Sequence, residues 1–326
     1  MKLFALVLML SSFLWGETTL KIATYNVENL FDLHKSGHEY REYIPYTKSN
    51  WNQKTYKIKL KNIANVIKDI NADIIALQEI ESLQALKDLR LTLKRAGLYY
   101  QYFKIANKKN TTIKVALLSK IPFIYTKEVQ VTSSYKYRNI LEVKFKINNH
   151  DLYFFVNHWK SKSGPESMRI ISAKALRKRI KTIGFDKNII LVGDFNSDYE
   201  EYKRFKRKRK LNDTNGRTGI NDVLQTKNKH TKESLYNLWY DTAIKNRYSY
   251  IYRGKKEAMD NIIVTPRLLS SPNFHYKKRS ITAFDKKYLF KGKYPYRWKV
   301  SRAKIPKHKG KGYSDHLAVI AEFVLH

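Results

Sequence analysis

The stretch Asn188-Ile189-Ile190-Leu191-Val192-Gly193-Asp194-Phe195-Asn196 decides how this chain is read. Its apolar run from Ile189 to Val192 is short and bounded by polar residues, as a buried strand is. A carboxylate at a strand end is ordinarily a turn or cap residue and means little alone. The arrangement recurs, however. Working outward, acidic, amide and histidine islands sit at the ends of apolar runs at Thr24-Tyr25-Asn26-Val27-Glu28-Asn29, Leu77-Gln78-Glu79, Val156-Asn157-His158-Trp159, Ala258-Met259-Asp260-Asn261 and Ser314-Asp315-His316. Six such islands imply one site assembled from many strand ends.

Between the islands, strands are expected at Leu20 to Val27, Asp73 to Gln78, Tyr99 to Ile105, Ile113 to Ser119, Phe123 to Thr132, Ile140 to Ile147, Leu152 to Asn157 and Leu317 to Leu325. Ser249 to Tyr252 and Asn261 to Val264 read as a strand pair around an Arg253 to Glu257 turn. Helical spacing of Ile58, Ile63, Val66, Ile67 and Ile70 predicts a helix capped by Asn50. Further helices are expected over Leu83 to Arg95 and Met168 to Ile183, the second of them basic and amphipathic. Residues 199–232 read as a loop or an exposed helix. No repeat or proline-rich linker marks a boundary. Strands and helices alternate from end to end, with two long runs of successive strands, which favours one layered α/β domain over residues 20–326. Basic loops are expected at about 199–232 and 275–312.

The 326 residues are 43% hydrophobic, enough to bury a large core. Met1-Lys2, the apolar stretch Leu3 to Trp15 and Gly16-Glu17 have the layout of a signal peptide over residues 1–16. That stretch falls short of the roughly 20 apolar residues needed to span a bilayer, so the expectation is a secreted or periplasmic protein with no stable membrane insertion, acting as a monomer. The chain has no cysteine. This excludes disulfides, thiol chemistry, thiolate zinc sites and a lipoprotein anchor. Sixty-four Lys and Arg against twenty-eight Asp and Glu leave a formal charge of +36, which points to a polyanionic partner, nucleic acid first.

The islands offer oxygen and imidazole groups, the chemistry of metal-assisted phosphoester hydrolysis. That reaction needs neutralised phosphate oxygens, an activated water and a stabilised leaving group. Hard oxygen ligands suit Mg2+ or Ca2+. Glu79 is the natural carboxylate for a metal, and Asn26 offers an amide to the metal's water shell or to the phosphate. Asp194 and Asn196, two apart in extended backbone, would face one phosphate. His316 is a candidate base or phosphate-binding cation, with Asp260 as its orienting partner, and His158 is the second histidine.

These residues resemble the endonuclease/exonuclease/phosphatase superfamily, whose fold is that of DNase I. The likeness runs from about Lys21 to Phe323 and rests on Thr-Tyr-Asn-Val-Glu-Asn-Leu-Phe-Asp from Thr24, Asp-Ile-Ile-Ala-Leu-Gln-Glu-Ile-Glu from Asp73, Gly-Asp-Phe-Asn-Ser-Asp from Gly193, Met-Asp-Asn-Ile-Ile-Val from Met259 and Ser-Asp-His from Ser314. It implies a four-layer αββα sandwich, two central, mostly antiparallel sheets flanked by helices. It further implies that Glu79 binds the metal with help from Asn26, and that Asp194 and Asn196 position water and phosphate. His316, supported by Asp260, and His158 would be the acid/base pair. Asp315 would be the second acidic residue at the metal, and Arg138 a contact to substrate phosphate.

Within that superfamily, Asn157-His158-Trp159-Lys160-Ser161-Lys162 is similar to a signature of bacterial extracellular nucleases. Some members that repair abasic sites replace this histidine, which argues against that subgroup. The basic run Lys203, Arg204, Lys206, Arg207 to Lys210 follows Asp194 closely, and Lys299 to Lys311 leads into Asp315; both are expected beside the substrate phosphates. The resulting expectation is an exported endonuclease acting on DNA, with RNA as a further substrate, dependent on Mg2+ with Mn2+ or Ca2+ as alternatives. The other readings are a secreted sphingomyelinase or phospholipid phosphodiesterase, a nuclease subunit like that of cytolethal distending toxins, and a basic binding subunit.

Overall fold

The computed structural model describes residues 18–206, 208–227 and 231–326. The segment expected to be a signal peptide, and Arg207, lie outside the described residues. Among those residues the strands form two large sheets. In the first, β13 (Phe274–Tyr276), β17 (Val319–Leu325), β1 (Thr18–Leu30), β2 (Ile74–Ile80), β4 (Lys114–Ser119) and β3 (Tyr102–Ile105) lie in that order, with β14 (Thr282–Ala283) also paired to β17. In the second the order is β5 (Phe123–Val129), β6 (Ile140–Ile147), β7 (His150–His158), β8 (Ile189–Asp194), β12 (Asp260–Val264) and β9 (Tyr236–Asn237). Two ribbons, β10 (Tyr250–Tyr252) with β11 (Lys255–Glu257) and β15 (Phe290–Lys291) with β16 (Tyr294–Pro295), stand apart from them.

Strands β8 and β12 of the second sheet are buried along their whole length, and with β7 their side chains sort with a period of two. Ile190, Val192, Phe154, Val156, Ile262 and Val264 enter the large core between the sheets. Ile189, Leu191, Phe155 and Ile263 enter a smaller core with Ala173, Leu176 and Ile180 of α3 (Glu166–Ile183). Helices α1 (Gln53–Ile70) and α2 (Leu83–Arg95) bury Leu60, Ile63, Ile67, Leu86 and Leu89 into the larger core. This is the sandwich of two sheets with flanking helices that the sequence implies.

The topology brings the islands to one end. β1 and β2 run parallel, as do β7 and β8, so Asn26, Glu79, His158 and Asp194 all lie where their strands finish. β12 and β17 are antiparallel to β8 and β1, so Asp260 at the start of one and His316 just before the other arrive at the same end. Gly193 is required here. Its φ is +133°, and a Cβ would lie 2.0 Å from the carbonyl oxygen of Asn157 on the neighbouring strand.

Several expected elements differ in detail. The α1 cap is Asn52, whose side chain accepts from the N–H groups of Lys54 and Thr55, while Asn50 sits at a left-handed φ of 62° in the preceding turn. Tyr250–Tyr252 pairs with Lys255–Glu257 rather than with Asn261 to Val264, which belongs to the second sheet opposite β8. The hairpin wins locally because Arg253-Gly254, both at positive φ, make a tight two-residue turn. The described residues within 199–232 form more than a loop: α4 (Glu201–Arg204) and a π-helical turn over Gly219–Val223 lie beside buried Phe205, Ile220 and Leu224.

Candidate active site

The end of β1 leaves the ladder as a bulge, with its register to β2 shifting between Asn26 and Leu30. Glu28, Asn29 and, on β2, Glu79 all take positive φ, at 52°, 62° and 67°. Such backbone is unfavourable for residues with a Cβ and persists where surrounding contacts hold it. It turns Glu79 off the strand towards Asn26, whose amide NH2 donates to Glu79 Oε1 and to Asp194 Oδ2, each at 3.1 Å. One amide thus bridges carboxylates of the two sheets. The Asn26 amide oxygen accepts from the Glu28 N–H at 3.0 Å.

His316 Nδ1–H donates to Asp260 Oδ2 at 2.7 Å. The Ser249 hydroxyl donates to the same oxygen at 2.6 Å and accepts from the Asp260 N–H at 3.0 Å. On its other side His316 Nε2 faces Asp194 Oδ2 at 3.9 Å. Burial alone would lower the His316 pKa, but the Asp260 and Asp194 carboxylates overcome that and hold it well above the usual histidine range. His158 is placed oppositely. Its Nε2 lies 3.6 Å from Asp194 Oδ2 and 3.9 Å from Glu79 Oε1, beyond hydrogen-bonding distance, and its Nδ1 is buried without a partner. Burial, then the positive charges of Arg138 and His316, push its pKa well down. The site therefore contains one cationic and one neutral imidazole, with Asp194 between them. Burial drives the Asp194 carboxyl up to about 7, with His316 opposing and Asp260 adding to the rise.

Asn196 does not continue the strand. Its φ is 48°, its N–H donates to Asp194 Oδ1 at 2.8 Å, and its side-chain NH2 donates to the Trp159 carbonyl. A tight turn, not an extended pair, thus holds Asp194. Arg138 Nη1 donates to the same Trp159 carbonyl at 3.3 Å, and its charge is felt by Glu79 and Asp194, so it belongs to the site. Asp315 Oδ2 is 3.3 Å from Arg297 Nη2, and its charge adds to that on Glu79. Lys203 and Arg204 are engaged elsewhere: Lys203 pairs with Glu200 at 2.7 Å and Arg204 with buried Asp198 at 2.9 Å. Lys206 is exposed beside them.

Three contributors lie beyond the sequence-level set. Ser249 carries no motif and reaches Asp260 only through tertiary packing. Glu28 lies inside the quoted Asn26 island; its carboxylate accepts from Arg297 Nε at 2.8 Å and Arg297 Nη2, and from the Trp298 N–H at 3.0 Å. Fully buried Lys59 of α1 donates to the carbonyls of Glu28 at 2.8 Å and Tyr313 at 3.1 Å. This network straps the 297–313 loop to β1, and the Ser314 hydroxyl adds a 2.6 Å bond to the Asn26 carbonyl.

The donor set fits a hard divalent cation. Burial raises Glu79, Asp194 and Glu28, the last to about 8, as expected of carboxylates crowded without enough positive charge. Asp194, Asp260 and His316 offer ligand atoms within 4.8 Å of one another and could hold a metal. Within that group His316 Nδ1 and Asp260 Oδ2 are already bonded to each other. Glu79, with Asp315 nearby, is the more open position.

Comparison with known proteins identifies a family and a shared fold. The profile of the endonuclease/exonuclease/phosphatase family matches residues 21–324. Comparison with curated proteins gives no significant match. Among solved structures, D. rerio TDP2 complexed with single-strand DNA product aligns at 15% identity and TM-score 0.58, covering 94% of this chain and 99% of that one. An endonuclease/exonuclease/phosphatase family protein from Bacteroides thetaiotaomicron aligns at 17% identity and TM-score 0.57, covering 96% and 100%. A mannosyl-6-phosphatase from the same organism aligns at 16% identity and TM-score 0.57, covering 94% and 100%. At such identities the likeness is one of fold.

Proposed function

The chain belongs to the endonuclease/exonuclease/phosphatase family, whose members are phosphoester hydrolases typically dependent on a divalent metal, and from that premise we propose that it is an exported, Mg2+-dependent endonuclease cleaving DNA, and RNA by the same chemistry. The observation that carries this reading is the strongly basic chain around the His316–Asp260 pair, with net charge +36. Arg138 and Lys208 reach the site from separate segments, while Arg297 is engaged by Glu28 and Asp315. A polyanion is drawn to such a mouth, whereas a sugar monophosphate needs far less charge. Export rests on the amino-terminal sequence, and no helix of the described residues is long and apolar enough to cross a membrane.

In this reading the scissile phosphate lies against Arg138 and Asn196. Glu79 would hold the metal, with Asp315 nearby and with Asn26 fixing Glu79 against Asp194. The chemistry a divalent cation would supply there is neutralisation of phosphate charge. His158, kept neutral, takes a proton from the attacking water. His316, kept cationic by Asp260, gives one to the leaving oxygen.

Supercoiled plasmid should be nicked when Mg2+ is supplied and spared when EDTA is added, and His158→Ala should abolish nicking without unfolding the protein. Plasmid left intact under all metal conditions would sink the nuclease reading.

A further inference from the structure

Beside His316 lies a cleft of about 420 Å³, bounded by the β10–β11 hairpin, the Ser161–Ser163 turn and Lys208, within the roughly 300–1,000 Å³ range of small-molecule sites. Its walls are fixed. Lys162 pairs with Glu201 at 2.8 Å and with Glu257 of the hairpin at 3.3 Å. Tyr250 forms a bridge with the His316 backbone, and its ring packs 4.8 Å from the imidazole. The hairpin is therefore built onto the acid–base pair rather than hung beside it.

The composition of the cleft narrows its ligand. Tyr252 is 53% exposed at the hairpin's end, with the Arg253 guanidinium 5.3 Å from its ring centroid. The tip continues as Gly254-Lys255-Lys256, all exposed. A hairpin that entered a lipid bilayer would present apolar side chains at this tip. This one presents an aromatic face and cations, the pairing that holds a base and its phosphate.

We propose that this cleft holds the nucleotide next to the cleaved phosphate, with its base stacked on Tyr252 and its outer phosphate on Lys208. The proposal rests on the nuclease reading and adds to it the way the substrate is gripped. Each site then spans at least two nucleotides, and grip comes from the base's flat face and the backbone charge, so it is tolerant of sequence.

The test uses short oligothymidylates with a single cleavable phosphodiester, the other links being nuclease-resistant, in which the base on one side or the other of that link is kept or removed. Wild-type protein should cleave the fully based oligomer with a kcat/KM on the order of tenfold above one of the abasic forms. Tyr252→Ala should erase the difference by losing the based substrate's advantage, and Tyr252→Phe, which keeps the ring, should retain it. Equal rates on all three oligomers with wild type, or a base preference that survives in folded Tyr252→Ala, would overturn the proposal while leaving the nuclease reading intact. Cleavage of none of them alongside turnover of another phosphoester would overturn both.

Discussion

His308 and His316 stand eight residues apart, both largely buried, one neutral and one cationic. His308 lies between the Trp298 indole N–H, which donates to its Nδ1 at 2.8 Å, and the Glu42 carbonyl, which accepts from its Nε2 at 2.8 Å. Burial outweighs the Glu42 carbonyl, which favours the charged ring, the Lys59 charge adds to the fall, and the pKa drops to about 4. His316 has a carboxylate where His308 has an indole, and it stays cationic. The difference teaches that the partner's charge, not burial, sets the role of each ring. The neutral ring closes an aromatic cluster with Tyr43, Trp51 and Trp298 that holds the basic loop in place; the charged one is available for proton transfer.

Breaking the charged side should have the largest effect. His316→Ala is expected to lower kcat by about 10²- to 10⁴-fold, the usual worth of a positioned acid or base, read on protein shown to be folded because buried Asp260 also loses its cation. Breaking the neutral side should do the reverse. His308→Ala leaves a buried indole N–H and a carbonyl unpaired, which costs about 2–4 kcal/mol of stability, read by denaturant unfolding.

The same contrast has a pH signature. Because His308 binds its proton more weakly folded than unfolded, its contribution is full above pH 6.5 and is lost as the pH falls from 6.5 towards 4, in all about 3 kcal/mol. His308→Gln, which does not titrate, should flatten the fall of melting temperature across that window; an unchanged slope would show that His308 is not the neutral ring described here.

A smaller effect should come from Ser249→Ala, which removes one of the two donors on Asp260 Oδ2. A loss of about 1 kcal/mol in transition-state stabilisation, roughly fivefold in kcat, is expected together with a shift of the pH–rate profile; a change in KM alone would place Ser249 outside the pair. The smallest effect distinguishes free from engaged cations. Lys208→Gln should reduce the salt slope of DNA binding by about one, and Lys203→Gln, already paired with Glu200, by less.

Much of this was readable because chemistry at a strand end interrupts an apolar period. Gly193-Asp194 and Ser314-Asp315-His316 announce themselves that way, and the alternation of strands and helices conveyed the layers. What stayed hidden depends on backbone or on distance. Asn196 looks extended by spacing, yet its left-handed φ makes it a turn. Ser249 meets Asp260 only when the hairpin packs over β12, and the basic run from Lys203 reads as free charge although Lys203 and Arg204 are paired to Glu200 and Asp198. The Glu28–Arg297 link joins residues 269 apart, and nothing local signals it.

One parallel assay decides whether the His316–Asp260 pair serves a nuclease. Supercoiled plasmid, sphingomyelin and mannose 6-phosphate are each incubated with wild type and with His316→Ala in Mg2+. Wild type should nick plasmid far faster than it releases phosphocholine or phosphate, and the variant should lose that nicking. Rapid phosphocholine or phosphate release beside intact plasmid would contradict the nuclease reading.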